Sequence, residues 1–175
     1  MGYLSIVSGT LKGRKVRTPP GMTTRPLLSR LRKSLADILR PRLAGARVLD
    51  LFGGSGAIAF ELLSNGADRA VIVERDPQAA RLIGENARSL GLAAAVDVRT
   101  GDGISALAAL ERRGEAFDII ILAPPYGRGL QRRALEQLSR SPVPAPGGII
   151  VAQREAREEQ VAASGMLACT SSRRY

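Results

Sequence analysis

From residue 47 onward, short apolar runs alternate with longer segments in which apolar residues recur at helical spacing. Apolar runs of this length, bounded by turn residues, are typical of strands buried on both faces of a parallel sheet. The runs predict strands at 48–52, 70–74, 96–99, 118–122 and 148–152. The segments between them predict helices at 57–64, 77–90, 103–113 and 130–139. This alternation predicts an α/β fold with a doubly wound, mostly parallel sheet.

The first part of the chain has a different pattern. Polar and apolar residues alternate on both sides of a turn between Gly9 and Gly13, which predicts a β-hairpin. After the hairpin, a helix capped by Ser29 is predicted from apolar residues at helical spacing, namely Leu28, Leu31, Leu35, Ile38 and Leu39. We therefore expect an N-terminal extension of a hairpin and a helix over 1–45, joined to a main domain over 46–175 in one compact unit.

Positive charge is concentrated in this extension. The formal net charge is +10, and residues 1–45 carry +9 of it, from ten Lys or Arg and one acidic residue, Asp37. Such a distribution is typical of proteins that bind a polyanion, because neutralising phosphates releases counterions. The candidate contact residues are Lys12, Arg14, Lys15, Arg17, Arg25, Arg30 and Arg32. A basic surface that only confers solubility is the alternative, and a membrane surface is disfavoured because no large aromatic or leucine face accompanies the charges.

Composition narrows the possible chemistry. The chain has no histidine, which excludes triads and proton relays that need imidazole and leaves carboxylates, hydroxyls, backbone groups or a cofactor. The single cysteine, Cys169, cannot form an internal disulfide and is interpreted as a buried thiol, and no metal site is expected. No apolar run reaches the roughly 18 residues of a membrane helix, and residues 1–15 lack the apolar stretch of a secretory signal. We expect a cytoplasmic protein without membrane attachment.

Candidate ligand-binding residues follow the ends of three consecutive predicted strands. Asp50 leads into the turn Gly53-Gly54-Ser55-Gly56, where small residues allow backbone N–H groups to approach a ligand. Glu74 is placed to accept hydrogen bonds from both ribose hydroxyls of an adenosine, and Asp102 could reach the adenine amino group. Together these features predict an adenosine-containing ligand. Taken singly, a turn without a ligand, a solvated strand end and a helix cap remain alternatives.

The fourth predicted strand of the main domain ends in Ala123-Pro124-Pro125-Tyr126. The two prolines fix the backbone and remove two N–H donors, so that the carbonyl groups here can face a ligand. Tyr126 offers an aromatic face on which a base can stack. A rigid turn that only leaves the strand is the alternative interpretation.

These motifs resemble those of a known family. The segment 50–56, Glu74, Gly101-Asp102 and the Pro-Pro-Tyr turn are similar to class I amino methyltransferases. Ser8-Gly9-x-x-x-Gly13-Arg14, Thr24-Arg25-Pro26 and Arg30-x-Arg32 are similar to the RsmD family of bacterial 16S rRNA guanine-N2 methyltransferases. The resemblance covers essentially the whole chain. It implies a Rossmann-like fold and methyl transfer from S-adenosylmethionine to the exocyclic amine of a guanine in 16S rRNA, the family target being guanine 966. The implied partner is an assembling small ribosomal subunit, and a monomer is expected.

The resemblance also implies roles for individual residues. Asp50 and the glycine turn would hold the methionine end and sugar of the cofactor, Glu74 the ribose and Asp102 the adenine amine, while Tyr126 would stack on a flipped guanine. The implied cofactor-binding set is Asp50, Phe52, Gly53, Gly54, Ser55, Gly56, Glu74, Arg75, Asp102 and Gly103. The implied catalytic set is Ala123, Pro124, Pro125 and Tyr126.

The chain departs from the family pattern at several positions. Ala123 occupies the position of the family's Asp or Asn, whose side chain accepts a hydrogen bond from the amine. Leu27, Lys33 and Ala36 replace Thr, Glu and Phe. The family continues through one more strand, so that a strand over 166–172 is expected to have an unpaired edge. A catalytically silent cofactor- or RNA-binding homologue is therefore an alternative to an active enzyme, whereas the glycine spacing disfavours a nicotinamide oxidoreductase.

Overall fold

The computed structural model describes residues 2–20, 26–125, 127–153 and 165–172. The helices are α1 (Pro26–Leu39), α2 (Ala57–Ser64), α3 (Pro77–Leu90), α4 (Gly103–Arg112) and α5 (Leu130–Leu138), with a short 3₁₀ helix at Arg40–Arg42. The strands are β1 (Gly2–Ser5), β2 (Lys15–Thr18), β3 (Arg47–Asp50), β4 (Arg69–Glu74), β5 (Val96–Thr100), β6 (Phe117–Leu122) and β7 (Pro144–Ala152). Every helix in the described part of the chain is too short or too polar to cross a membrane.

Strands β3 to β7 form a parallel sheet in the order β5-β4-β3-β6-β7, while β1 and β2 pair antiparallel in a separate hairpin. The chain proceeds outward from β3 to β5 and then returns to place β6 on the other side of β3. In sheets of this kind, ligands bind beyond the carboxyl ends of the strands where the order reverses, which here is between β3 and β6. The doubly wound α/β prediction is confirmed.

Helices cover both faces of the sheet. On one face, α2 and α3 bury apolar side chains such as Phe60 and Ile83 in a first core cluster. On the other face, α4 and α5 bury Leu107 and Leu138 in a second core cluster. The central strands β3, β4 and β6 are almost wholly buried. The strands β5 and β7 are largely half-exposed, because within the described residues each pairs with a neighbour on one side only.

The N-terminal hairpin is packed into the first core cluster. Its apolar residues Leu4, Ile6 and Val16 are buried there together with residues of α2 and α3. A Cβ on Gly9 would overlap the carbonyl oxygen of Ser64 at the end of α2, so that only glycine permits this close approach. The hairpin therefore acts as an outer layer of the main domain.

Three predictions made from the sequence are wrong. Helix α1 begins at Pro26, so that Ser29 lies inside the helix; proline suits a first turn because its φ is fixed and it has no N–H to satisfy. Within the described residues 165–172 there is no strand, because this segment packs against the end of α5, where Met166 N donates to Ser139 O. Cys169 lies in that segment and is exposed instead of buried.

Candidate cofactor site and catalytic edge

The three candidate carboxylates lie at one edge of the sheet. Asp50 is the last residue of β3, Glu74 is the last residue of β4, and Asp102 follows the end of β5 by two residues. The carboxyl ends of parallel strands meet at the same edge, and the register pairs Glu74 with Thr100 of β5. We call this edge, with the loops that leave it, the carboxyl edge. The structure thus brings together residues that are far apart in the sequence.

The glycine turn after β3 is closely packed against β4. Gly53 N donates to Val73 O at 2.8 Å, and a Cβ on Gly53 would lie 2.5 Å from a methyl group of Ile72. Gly56 has a φ of +76°, and a Cβ there would lie 2.7 Å from the ring of Phe60. Larger residues at these positions would displace the turn, so the local fold depends on glycine.

Glu74 ties this turn to the end of β4. Its Oε2 accepts a hydrogen bond from Gly54 N at 2.7 Å, and its Oε1 accepts one from Asp76 N at 2.9 Å. A carboxylate offers about four lone-pair sites, so each oxygen retains capacity for one further donor. Glu74 is therefore held in one orientation with acceptor capacity left for hydroxyl groups.

Asp50 is a buried carboxyl group with little hydrogen bonding to offset its loss of contact with water. It is 1% exposed, and its hydrogen bond comes from Phe52 N at 3.3 Å. Burial raises the pKa of Asp50 from 3.8 to about 7, and the negative charge of Glu74 adds to the rise. A positively charged group bound at this edge would stabilise the ionised form.

Asp102 caps α4. Its Oδ1 accepts hydrogen bonds from Ser105 N at 2.9 Å and Ser105 Oγ at 3.1 Å, and these bonds hold the pKa of Asp102 below its ordinary value, with the charge of Arg75 adding to the effect. A Cβ on the next residue, Gly103, would overlap the carbonyl oxygen of Leu51, so glycine lets the start of α4 approach the end of β3. The helix-cap alternative from the sequence describes Asp102 in this structure.

The Ala-Pro-Pro turn leaves β6 at the carboxyl edge, next to β3. Ala123 is half-buried against the first core cluster, Pro124 is buried and Pro125 is exposed. The register pairs Ile121 with Asp50, which brings the turn beside the buried carboxyl group. Tyr126 lies outside the described residues. Its expected stacking role therefore remains a prediction.

Comparison with known proteins identifies the family. The family model described as conserved hypothetical protein 95 matches residues 4–175. The Bacillus subtilis protein YlbH, named as an rRNA methyltransferase, is 31% identical over 98% of this chain and 94% of its own length. Ribosomal RNA small subunit methyltransferase D of Escherichia coli is 31% identical over 78% of this chain and 67% of its own length. The chain belongs to this family.

The resemblance of the motifs to the RsmD family is thereby confirmed. Among solved structures, the Escherichia coli protein yhhF, titled as a methyltransferase, superposes with a TM-score of 0.80 at 30% identity, covering 92% of this chain and 87% of that one. The sheet and its helices thus form a class I methyltransferase fold.

Arg32 is not available for the nucleic-acid contact that the charge of the extension predicts. It is 5% exposed, its Nη2 donates to Ser5 O at 2.9 Å, and its Nε lies 3.9 Å from Oε2 of Glu61, itself 1% exposed. Glu61 also accepts hydrogen bonds from Val7 N, Ser8 N and Ser8 Oγ. The buried pair therefore fixes the hairpin and α1 to α2. The sequence contained one signal for it, a carboxylate in the middle of the otherwise apolar α2.

The other basic candidates of the extension lie in several places. The hairpin turn packs on the end of α2, and the guanidinium of Arg14 donates to Ser89 O near the end of α3 at 2.6 Å. Because α2 and α3 start at the carboxyl edge, these ends lie toward the opposite edge, with Lys12 and Lys15 nearby on the exposed hairpin. Arg17 pairs with Glu85 at 3.0 Å, and Arg30 is exposed on α1. Arg25 lies outside the described residues.

Proposed function

We propose that this protein methylates small-subunit ribosomal RNA, transferring a methyl group from S-adenosylmethionine to the exocyclic N2 of a guanine. The family target, guanine 966, is the proposed nucleotide. The observation that carries the proposal is the buried, weakly compensated Asp50 beside a glycine turn held by Glu74, in a chain similar to a named rRNA methyltransferase along nearly its whole length. The proposed partner is an assembling small ribosomal subunit in the cytoplasm, where the protein acts as a monomer.

The residues at the carboxyl edge fit this cofactor. S-adenosylmethionine supplies a methyl group activated by a positively charged sulfur. Asp50 would compensate the positive charge of the cofactor, because a buried carboxyl group with a pKa of about 7 gains most from a nearby cation. Glu74 would accept hydrogen bonds from the ribose with the acceptor capacity that Gly54 and Asp76 leave. Asp102 would contact the adenine amine, and Gly103, where a Cβ would overlap the carbonyl oxygen of Leu51, lets α4 start close to the end of β3.

The Ala-Pro-Pro turn would position the guanine amine. Pro124 is buried and its backbone is fixed, so its carbonyl oxygen is preorganised to accept a hydrogen bond from the amine and orient its lone pair. Ala123 has no side-chain acceptor for the second hydrogen bond. Loss of one preorganised polar partner of this kind costs about 100- to 1000-fold in rate. The amine's proton would be lost to water, so that most of the rate enhancement comes from positioning.

Restoring the missing acceptor tests the proposal. Titration of S-adenosylmethionine into the chain as given and into Ala123→Asn and Ala123→Asp variants is expected to give similar affinities. Transfer of tritiated methyl groups to unmethylated small-subunit particles is expected to be about 100- to 1000-fold faster in at least one variant. A Glu74→Ala variant serves as the cofactor-deficient control. Absence of cofactor binding in the chain as given would contradict the cofactor site.

The second candidate function is a catalytically silent cofactor- or RNA-binding homologue. The specific observation that favours it is Ala123 at the position of the family's polar residue. Cofactor binding without methyl transfer in the chain as given, together with transfer in the Ala123→Asn variant, would support this alternative for the natural sequence. Equal transfer by both proteins would exclude it.

A further inference from the structure

A group of exposed arginines lies immediately after the Ala-Pro-Pro turn. Residues 127–140 contain four arginines and one carboxylate, Glu136. Arg128, Arg132 and Arg133 are exposed, and α5 has no acidic residue in its first turn. We call these three residues the α5 arginine surface. None of them belongs to the basic N-terminal extension that the charge distribution singled out.

The start of α5 is held at the carboxyl edge. Gln131 is 9% exposed, and its Nε2 donates to the carbonyl oxygen of Gln153, which directly follows β7, at 3.3 Å. Arg128 is three residues from Pro125, so their Cα atoms are at most about 11 Å apart. The apolar face of α5 packs into the second core cluster through Ala134 and Leu138. The arginine side chains are consequently presented to solvent next to the turn that would hold the target base.

The hairpin charges have a different location. Arg14 binds Ser89 O near the end of α3, and this helix of 14 residues extends about 21 Å from its start at the carboxyl edge. The hairpin turn is therefore remote from the Ala-Pro-Pro turn. It also packs on the opposite face of the sheet from α5. Phosphates next to a base held at the Ala-Pro-Pro turn would be closer to the α5 arginine surface than to the hairpin turn.

We propose that the α5 arginine surface binds phosphates of the RNA strand that flanks the target nucleotide. This inference rests on the proposed function. Arginine suits the role because its planar guanidinium forms paired hydrogen bonds to phosphate oxygens. A base that is methylated on its amine must be unpaired or flipped out, and its flanking backbone then passes along the rim of the site. The surface supplies the positive charge for that backbone on the α5 side of the site.

The test compares two double variants with equal loss of charge. Arg128→Gln with Arg133→Gln removes two members of the surface. Arg88→Gln with Arg112→Gln is the matched control, because these arginines are exposed in the last turns of α3 and α4, toward the opposite edge. Filter binding of an unmodified 16S rRNA transcript between 50 and 200 mM salt gives the affinity and its salt dependence. Titration of S-adenosylmethionine into each variant reports on the intact fold.

The surface variant is expected to bind RNA about 10- to 100-fold more weakly at 0.1 M salt, and its log-log salt slope is expected to fall by about 1 for each arginine removed. The control and the cofactor affinity are expected to stay within about twofold of the parent. An Arg128→Lys, Arg133→Lys variant, which keeps the charge, is expected to retain the parent salt slope.

Two results would overturn the inference while leaving the proposed function intact. One is an unchanged salt slope in the surface variant, and the other is an equal loss in the control, which would indicate bulk charge alone. Failure of the parent chain to bind the transcript at 50 mM salt would instead overturn the RNA part of the proposed function, and the inference with it. The two failures are therefore distinguishable.

Discussion

Replacing Asp50 with asparagine is expected to stabilise the protein at pH 8 while weakening its binding of S-adenosylmethionine. In the folded chain, burial raises the pKa of the Asp50 carboxyl from 3.8 to about 7. Between these two values the folded state binds a proton that the unfolded state has released. The free energy of unfolding therefore falls as the pH rises through this window, and it becomes level above about pH 7. Asparagine has a similar shape, carries no charge and removes this dependence.

The size of the stability difference follows from the gap between the unfolded and folded pKa values of Asp50. Each pH unit between the two pKa values is worth about 1.4 kcal/mol. Between pH 5 and pH 8 only the part below about 7 contributes, which amounts to roughly 3 kcal/mol. The parent chain is thus expected to lose this much more stability than Asp50→Asn over the same interval. Asp50 is fully buried, so solvent screening does not reduce the effect.

Urea unfolding of both proteins at pH 5, 6, 7 and 8 measures the difference directly, because all other titrating groups are shared and cancel. Convergence at pH 5 and a growing advantage for Asp50→Asn toward pH 8 are expected. In parallel, the parent's affinity for S-adenosylmethionine should increase from pH 5 to 7 as Asp50 ionises, and the variant should bind weakly throughout. Parallel curves of unfolding free energy against pH for the two proteins would refute the argument that burial destabilises the ionised form of Asp50.

Two further substitutions test the packing around the site. Glu61→Ala is expected to lower the free energy of unfolding by about 3–5 kcal/mol, because it leaves Arg32 buried without a countercharge. Adding Arg32→Met should recover much of this loss in urea unfolding. A loss below about 1 kcal/mol for Glu61→Ala would contradict the role of the buried pair. Gly56→Ala is expected to weaken cofactor binding at least tenfold in calorimetry, because its Cβ would meet the ring of Phe60. Gly91→Ala is the control, since φ is +77° there but nothing lies within 4 Å; equal effects on cofactor binding would count against the packing argument.

Local chemistry explains why much of the sheet and its helices could be predicted from the sequence. The run at 70–74 is continuously apolar before Glu74 because β4 is central in the sheet. The ends of α3 were equally visible: Asp76 accepts a hydrogen bond from Gln78 N, and Gly91 has the positive φ that ends a helix. The contacts that end α3 lie within a few residues along the chain, and the burial of β4 is visible in its continuous apolar run.

Other features of the structure depend on distant partners. The sequence predicts a nucleic-acid contact for Arg32 because it belongs to the basic extension. Its buried position depends on Glu61, which is 29 positions away along the chain. The edge of the sheet toward which the hairpin turn points depends on contacts with Ser64 and Ser89. The role proposed for the α5 arginines likewise depends on the position of α5 beside the Ala-Pro-Pro turn, which the sequence pattern does not give. Hydrophobic periodicity contains no information on such long-range pairings.

The docking of the hairpin on α2 and α3 affects how the chain folds during synthesis. Residues Leu4, Ile6 and Val16 leave the ribosome before α2 and α3, and the partners of the hairpin include Asn86 of α3, whose side chain bonds the backbone of Arg17. At about 5–20 residues per second, the interval between the two segments is roughly 4–14 s. Until α3 is translated, the apolar side of the hairpin lacks the part of its partner surface that α3 supplies. The hairpin is therefore translated well before α3, and a nascent chain stopped before α3 would leave part of its apolar side exposed.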